Sequence, residues 1–356
     1  MNILGIGMIF SRGLGIACFE KALQDGWRKP GEIEVAHGAG RNYPVYLAGL
    51  ETVQGKTLLK KIRRSDKLAK MSALAAADAL VDGGIGGLRD KRVGVIIATA
   101  FGAHVTTFSF LDDILDYGDA AVSPTTFSNS VHNAAASYVS LSLDIQGPTL
   151  TVTQFQFSFQ AAMQLAQTWL DQGRCDYLLV GAVDQYGDVL RYVADRKLAI
   201  AEDGKIKPFA FNPTCYVPGE GAVFFLLSGE DRGKSYCRVD AVHTYDDPLH
   251  GKPVDINIID ADGMLPDESA YLPSLSPDIP SAAYSPLFGS MMIGSAFNAA
   301  AGALMIKRQT RYASPVQDNP HGICILTETG EARIEAIRCM GIDCSQAKSA
   351  IYLTSA

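Results

Sequence analysis

Gly147-Pro148-Thr149-Leu150-Thr151-Val152-Thr153-Gln154-Phe155-Gln156-Phe157 opens as a β-rich run and passes without a break into a helical pattern. Leu150–Thr153 reads as a strand and Phe155–Asp171 as the helix that follows it. Within that helix Gln156, Gln160, Gln164 and Gln167 fall at i, i+4, i+8 and i+11 and so share one face. Phe155, Phe159, Met163, Ala166 and Leu170 line the other face, which predicts a buried helix with amide contacts to its neighbours. The stretch belongs to one of four uncharged runs, Ile145–Leu170, Val93–Leu111, Ala120–Leu143 and Ile279–Ile306. A membrane helix needs about 20 predominantly apolar residues. Gly147-Pro148, clustered Ser, Thr and Gln, and Pro280 and Pro286 break these runs, so they are expected in a core or an interface.

Outward from this point, short apolar runs alternate with helical patterns, the rhythm of an α/β protein. Strands are predicted at Ile3–Gly7, Val93–Thr99, Tyr177–Ala182 and Ala222–Leu227, and helices at Ala17–Asp25, Asp66–Leu80 and Asn133–Leu143. Ser65-Asp66 supplies a helix start and Gly83-Gly84 a stop. After Gly229–Gly233 the rhythm begins again, with strands near Cys237–His243, Ile256–Ile259, Ile323–Thr327 and Ile334–Met340 and a helix near Ala296–Gln309. Two similar halves, 1–229 and a shortened 230–356, are therefore expected.

Composition narrows the function. Of 356 residues 47% are hydrophobic and 19% charged, with a net charge of −7. A typical domain is about 25% charged, so little polar surface is available and a large partner interface is predicted. The acidic balance excludes a nucleic-acid footprint. Cys18, Cys175, Cys215, Cys237, Cys324, Cys339 and Cys344 form no CxxC pair and read as reduced thiols, with no metal site. Met1–Gly15 lacks the pattern of a secretory leader, which predicts a cytoplasmic protein. Gly5-Ile6-Gly7 fails the dinucleotide fingerprint because Phe10 occupies the third glycine's place. Asp260-Ala261-Asp262-Gly263 fails as a calcium loop because its twelfth residue is Tyr271. No cofactor is implied.

Val122-Ser123-Pro124, Asn133-Ala134-Ala135-Ala136 and the Gly147–Thr153 segment together resemble the β-ketoacyl synthases of the thiolase superfamily. The resemblance extends over nearly the whole chain. It takes in Ile3–Gly7, the basic and Ala-rich Lys60–Leu80, Arg92–Thr99, Pro208-Phe209 with Gly219-Glu220-Gly221-Ala222, and Met292–Gly302 followed by Pro315. It implies a thiolase fold, two βαβ-rich halves in a five-layered αβαβα arrangement. It also implies where chemistry would lie. The family's nucleophilic cysteine position is Gln156, and an amide cannot accept an acyl chain. The two histidines that stabilise the thioester oxygen correspond to Asp262 and Ser295. Of the Gly-Phe-Gly-Gly-Thr-Asn loop, only Gly341 survives in Gly341-Ile342-Asp343-Cys344-Ser345-Gln346. None of the six histidines, His37, His104, His132, His243, His250 and His321, falls in a catalytic motif of the family.

The resemblance thus implies a subunit of the chain-length-factor type, without catalytic residues of its own. It would act as heterodimeric partner of an active β-ketoacyl synthase in type II polyketide or fatty-acid-like elongation. The Phe127–Asn133 loop resembles aryl-polyene-type subunits. Thr107, Phe108, Leu111, Leu115, Phe127 and His132 are the expected interface and tunnel residues. Helical spacing puts Phe108, Leu111 and Leu115 on one face and Phe110 elsewhere. Lys60, Lys61, Arg63 and Arg64, in a basic run from Lys56 to Lys70 that includes Lys67, are the expected docking point for an acidic acyl carrier protein. A solvated helix face is the plainer account of that run. Two alternatives stay open: a malonyl-carrier-protein decarboxylase using the Gln156 site, which Asp262 disfavours by repelling a developing enolate, and a purely stabilising subunit.

Overall fold

The computed structural model describes residues 1–34, 42–51, 55–88, 90–231, 233, 235–245 and 251–356; His37 and His250 lie outside the described residues. Strands buried on both faces need near-continuous apolar sequence. Val93–Thr99, Tyr177–Asp184 and Gly221–Ser228 supply it, and every residue of the three is buried. They form one run of sheet in the order Thr149–Thr153, Val93–Thr99, Tyr177–Asp184, Gly221–Ser228, Asn2–Phe10. The first two pairings are parallel and the next two antiparallel. A second run, Ser281–Ala282, Ile256–Ile259, Ala336–Ile342, Lys348–Thr354, Cys237–Thr244, repeats the same order and the same directions. The two runs join where Asn2 and Ile3 pair with Arg238 and Cys237.

Two helices lie between the runs. Ser158–Asp171 and Gly294–Arg308 each touch strands of both. The second helix is buried from Gly294 to Ile306, which its small residues Ala296, Ala299, Ala300, Ala301, Gly302 and Ala303 permit. Across the outer face of the first run lies the Lys67–Asp82 helix. Its N-cap is Asp66, whose carboxylate accepts the Ala69 amide, and it stops at Gly83, as the sequence predicts. Gly7 allows the close approach, since a Cβ there would sit 2.1 Å from the Ala75 carbonyl oxygen. On the outer face of the second run, Phe209, Phe211 and Tyr271 pack on Ile259, Met340 and Ile342. Tyr271 comes from a short 3₁₀ segment, Ser269–Ser274, so the last of the five expected layers is built here from turns and loops.

Three expectations need correction. Ile323–Thr327 is no strand; only Ile325 makes an isolated bridge, to Ser281. The expected Phe127–Asn133 loop is helical as far as Ser130, because Ser123 caps Pro124–Ser130 and Pro124 pre-sets its first turn. The glutamine helix begins at Ser158, so Gln156 stands ahead of it.

Glu220 ties several of these elements together. It is fully buried, and its Oε1 accepts the Ala48 amide (2.9 Å) and pairs with Lys67, while Oε2 accepts the Tyr186 amide (3.1 Å). Lys67 is therefore not part of a free basic face. Glu220→Ala should lower stability by about 3 kcal/mol, because two buried amides lose their acceptor. Lys67→Met should cost less, since both amides keep theirs. Denaturant melts of the three proteins would check the ranking.

Candidate functional site

The Thr149–Thr153 strand ends at a sharp elbow into the Ser158–Asp171 helix, and Phe157 takes the left-handed conformation (φ 61°) at the turn. Gln156 stands just before that turn. Its Oε1 accepts the Cys344 amide at 3.1 Å, and its own carbonyl accepts Gln154 Nε2 at 2.8 Å. One turn into the helix, the buried Gln160 donates to Ser349 Oγ at 3.1 Å and lies 3.5 Å from the Ser295 hydroxyl that donates to it. Ser295 sits in the first turn of the other central helix.

Gln156, Gln160 and Ser295 line one small cavity of about 30 Å³. That volume holds about one or two water molecules. Gln156, Asp262 and Ser295, three positions far apart in sequence, all line it. So do three groups the sequence reading missed, Gln160, Asp260 and Glu268. The only sequence signal for the acids was the Asp260-Ala261-Asp262 pair, dismissed with the calcium loop.

The carboxyls are fixed by backbone amides. Asp262 Oδ1 accepts Met264 N and Oδ2 accepts Met291 N, each at 3.0 Å. Glu268 Oε1 accepts Gly263 N at 2.9 Å and Asp262 N at 3.2 Å. Asp260 accepts Asn298 Nδ2 at 2.9 Å and is also bonded by the Ser295 amide. Burial pushes Asp262 up to about 7. Burial, reinforced by the charge on Asp262, holds Asp260 and Glu268 well above the usual carboxylate range. The set meets the N-terminal ends of both central helices, where the helix dipole favours negative charge. Asp262 is thus a strut between two loops, with both oxygens occupied, and not a poised base.

Among the described residues no thiol and no imidazole line this cavity. His104 lies against Phe101, His243 against Tyr352, and His321 donates its Nε2–H to the Ala210 carbonyl at 3.0 Å. Cys344 is exposed, and all seven cysteines are free. Among the described residues no group of His, Cys, Asp and Glu is arranged to hold a metal ion, and no helix is long and apolar enough to cross a membrane.

The other predicted residues form a surface set. Phe108, Leu111 and Leu115 are exposed on one face of the His104–Tyr117 helix. Phe110 points elsewhere, packing on the exposed Phe127 with ring centroids 5.5 Å apart. Thr107 is half-buried and donates to the Ala103 and Ser130 carbonyls. His132 is exposed beside Gly102, where a Cβ would meet its ring. None of the six lines either of the cavities walled by Met264 and Met291. Lys60, Lys61, Arg63 and Arg64 are exposed around the Lys56–Lys61 helix, with Lys61 bonded to the Ser142 carbonyl and Asp144.

The geometry has relatives. The N-terminal domain of β-ketoacyl synthases matches residues 2–232. A β-ketoacyl synthase 2 of actinorhodin polyketide synthesis from Streptomyces coelicolor is 26% identical over 67% of this chain and 60% of its own length. A highly reducing polyketide synthase from Aspergillus fumigatus is 23% identical over 56% of this chain but only 8% of its own length, so the chain spans a small part of that relative. Among solved structures, the ishigamide ketosynthase/chain length factor superposes with a TM-score of 0.81 at 16% identity, covering 100% of this chain and 98% of that one. A type II polyketide acyl-carrier protein in complex with its ketosynthase gives 0.76 at 16% identity, over 100% and 99% of the two chains. The fold is that of the thiolase-like ketosynthases, and with a family domain matched over more than half its length the chain belongs to the β-ketoacyl synthase family.

Proposed function

We propose that this chain is a non-catalytic partner, of the chain-length-factor type, for an active β-ketoacyl synthase in type II polyketide or fatty-acid-like elongation. One observation carries the reading. The cavity at the elbow holds Gln156, Gln160, Ser295 and three amide-bound carboxyls, and so contains neither an acyl acceptor nor an imidazole donor. Condensation needs both. Decarboxylation without a thiol would still need donors for the enolate, and the cavity supplies no imidazole, while both Asp262 oxygens are taken up by backbone amides.

The surface supports a partner. Phe108, Leu111, Leu115, Phe127, Val131, Leu141, Leu150 and Phe155 are exposed on elements that pack on one another in series. Thr149–Thr153 is the outer strand of its run, with one edge unpaired among the described strands. An apolar surface and an open sheet edge side by side suit an obligate interface of about 2,000–5,000 Å². The Lys60, Lys61, Arg63 and Arg64 cluster offers an acidic acyl carrier protein a complementary landing point.

Expressed alone, the chain should aggregate or purify poorly, and co-expression with a cysteine- and histidine-bearing synthase should give a soluble one-to-one complex on size-exclusion chromatography. A stable, monodisperse monomer would overturn the partner reading. Within such a complex, Gln156→Ala should leave condensation nearly unchanged, and Gln156→Cys should create no second active site. A loss beyond about 100-fold with assembly intact, about 2.7 kcal/mol of barrier, would return Gln156 to the chemistry. Phe108→Ala and Leu111→Ala should lengthen the carrier-bound products by one or more two-carbon units, and Thr107→Trp should shorten them, because overfilling a packed tunnel costs about 1–3 kcal/mol. Mass spectrometry of the carrier-bound products reads the outcome. An unchanged distribution in all three variants leaves only a stabilising role.

A further inference from the structure

Asp260, Asp262 and Glu268 all line the cavity of about 30 Å³ at the elbow, and Asp262 and Glu268 are only 6% and 2% exposed. Among the described residues no Lys, Arg or His lines that cavity. The titratable groups that face the three carboxyls from neighbouring elements are Tyr216, Tyr271 and Cys339, and burial pushes all three up, so none brings a positive charge. Arg338 and Lys348, on the strands Ala336–Ile342 and Lys348–Thr354, are directed to Asn257 and Ser274. The adjoining acids Asp267 and Asp343 accept amides of their own turns. Like charges held in so small a space, with no cation among them, cannot all ionise.

The backbone amides distinguish the carboxyls. Asp262 gives one oxygen to the Met264 amide and the other to the Met291 amide, an arrangement that favours the anion. Glu268 is held differently. Its Oε1 accepts both the Gly263 and the Asp262 amide, and its Oε2 accepts no hydrogen bond among the described residues. A protonated carboxyl needs one oxygen that accepts and one that carries hydrogen, and Glu268 has that division. Asp260 accepts Asn298 Nδ2 and the Ser295 amide, and so ties the 260–268 segment to the Gly294–Arg308 helix. Met264 and Met291, whose backbone Asp262 holds, also line a larger cavity of about 290 Å³, so the cluster fixes a wall that the two cavities share.

We propose that these carboxyls form a pH-sensitive latch, in which Asp262 takes the negative charge first and Glu268 is kept as a neutral carboxylic acid with its proton on Oε2. Ionising Glu268 sets a second charge beside Asp262 and loosens the 260–268 segment. The sign of the effect follows. Burial and the charge on Asp262 hold Glu268 well above its ordinary value of 4.5. The native protein therefore keeps a proton that the unfolded chain gives up. That stabilisation is complete below about pH 4.5 and is lost as the pH rises toward the native value. Glu268→Gln retains an acceptor for both amides and has nothing to ionise.

Melting temperatures and infrared spectra of the full chain, in the assembly in which it purifies, test the latch. The gain in Tm of Glu268→Gln over the native chain should grow by about 4 °C or more between about pH 5 and about pH 8. At about pH 7 the native chain should show the carbonyl stretch of a protonated carboxyl, and Glu268→Gln should lose part of that band. A Tm difference that stays flat or shrinks as the pH rises, or a band that the variant keeps in full, would each overturn the proposal. Should Glu268→Gln fail to fold, the native chain's band still decides. Its absence at about pH 7 overturns the latch, and its loss in step with stability as the pH rises supports it.

Discussion

The Gly294–Arg308 helix has almost no solvent-facing side, because it is held between two sheet runs and is buried from Gly294 to Ile306. That constraint shapes the protein around it. Residues on such a helix must be small, apolar or bonded to a neighbour. Phe288 stacks on Phe297 with centroids 4.6 Å apart, and Asn298 is committed to Asp260. With the helix fixed, its N-terminus faces that of Ser158–Asp171, and the small cavity between them collects Gln156, Gln160, Ser295 and the three carboxyls.

The same geometry serves a different end in this chain. Two helix N-termini converging on one point create a region that favours negative charge. In an active synthase that field would suit a thiolate or a developing oxyanion. Here Asp260, Asp262 and Glu268 occupy the region themselves, bound to Ser295 N, Met264 N, Met291 N and the amides of Asp262 and Gly263. The elbow keeps its left-handed turn at Phe157 while the residue before it is an amide bonded to the Cys344 backbone. The elbow and the two helix N-termini are present, and the side chains around them hold loops together.

The proposed partner role rests on the surface rather than on the interior. The exposed aromatic and aliphatic side chains of the His104–Tyr117 helix have no role in the isolated chain's core. Asp66 links that helix to the basic segment, accepting the Thr106 hydroxyl at 2.9 Å while capping Lys67–Asp82. The exposed basic segment, the His104–Tyr117 helix and the Lys67–Glu220–Tyr186 contact are therefore neighbours in one framework.

The sequence by itself determined the α/β alternation, the helix started by Asp66 and stopped at Gly83, and the strands whose runs are wholly apolar, since local propensity, capping and burial act over a few residues. The resemblance to β-ketoacyl synthases implied a glutamine at the elbow, by a short count from Gly147-Pro148 to Gln156. The sequence could not show the Lys348–Thr354 strand, which is strand because Ala336–Ile342 and Cys237–Thr244 pair with it on either side. Nor could it separate Gln156 from Gln160, which the 3.6-residue period puts on one face, because the elbow holds the first outside the helix. Only the tertiary structure decided that Asp260 and Glu268 join Asp262 and that Lys67 is spent on Glu220. Each of these depends on residues brought together from distant parts of the chain, and no local pattern records who a buried charge's neighbours will be.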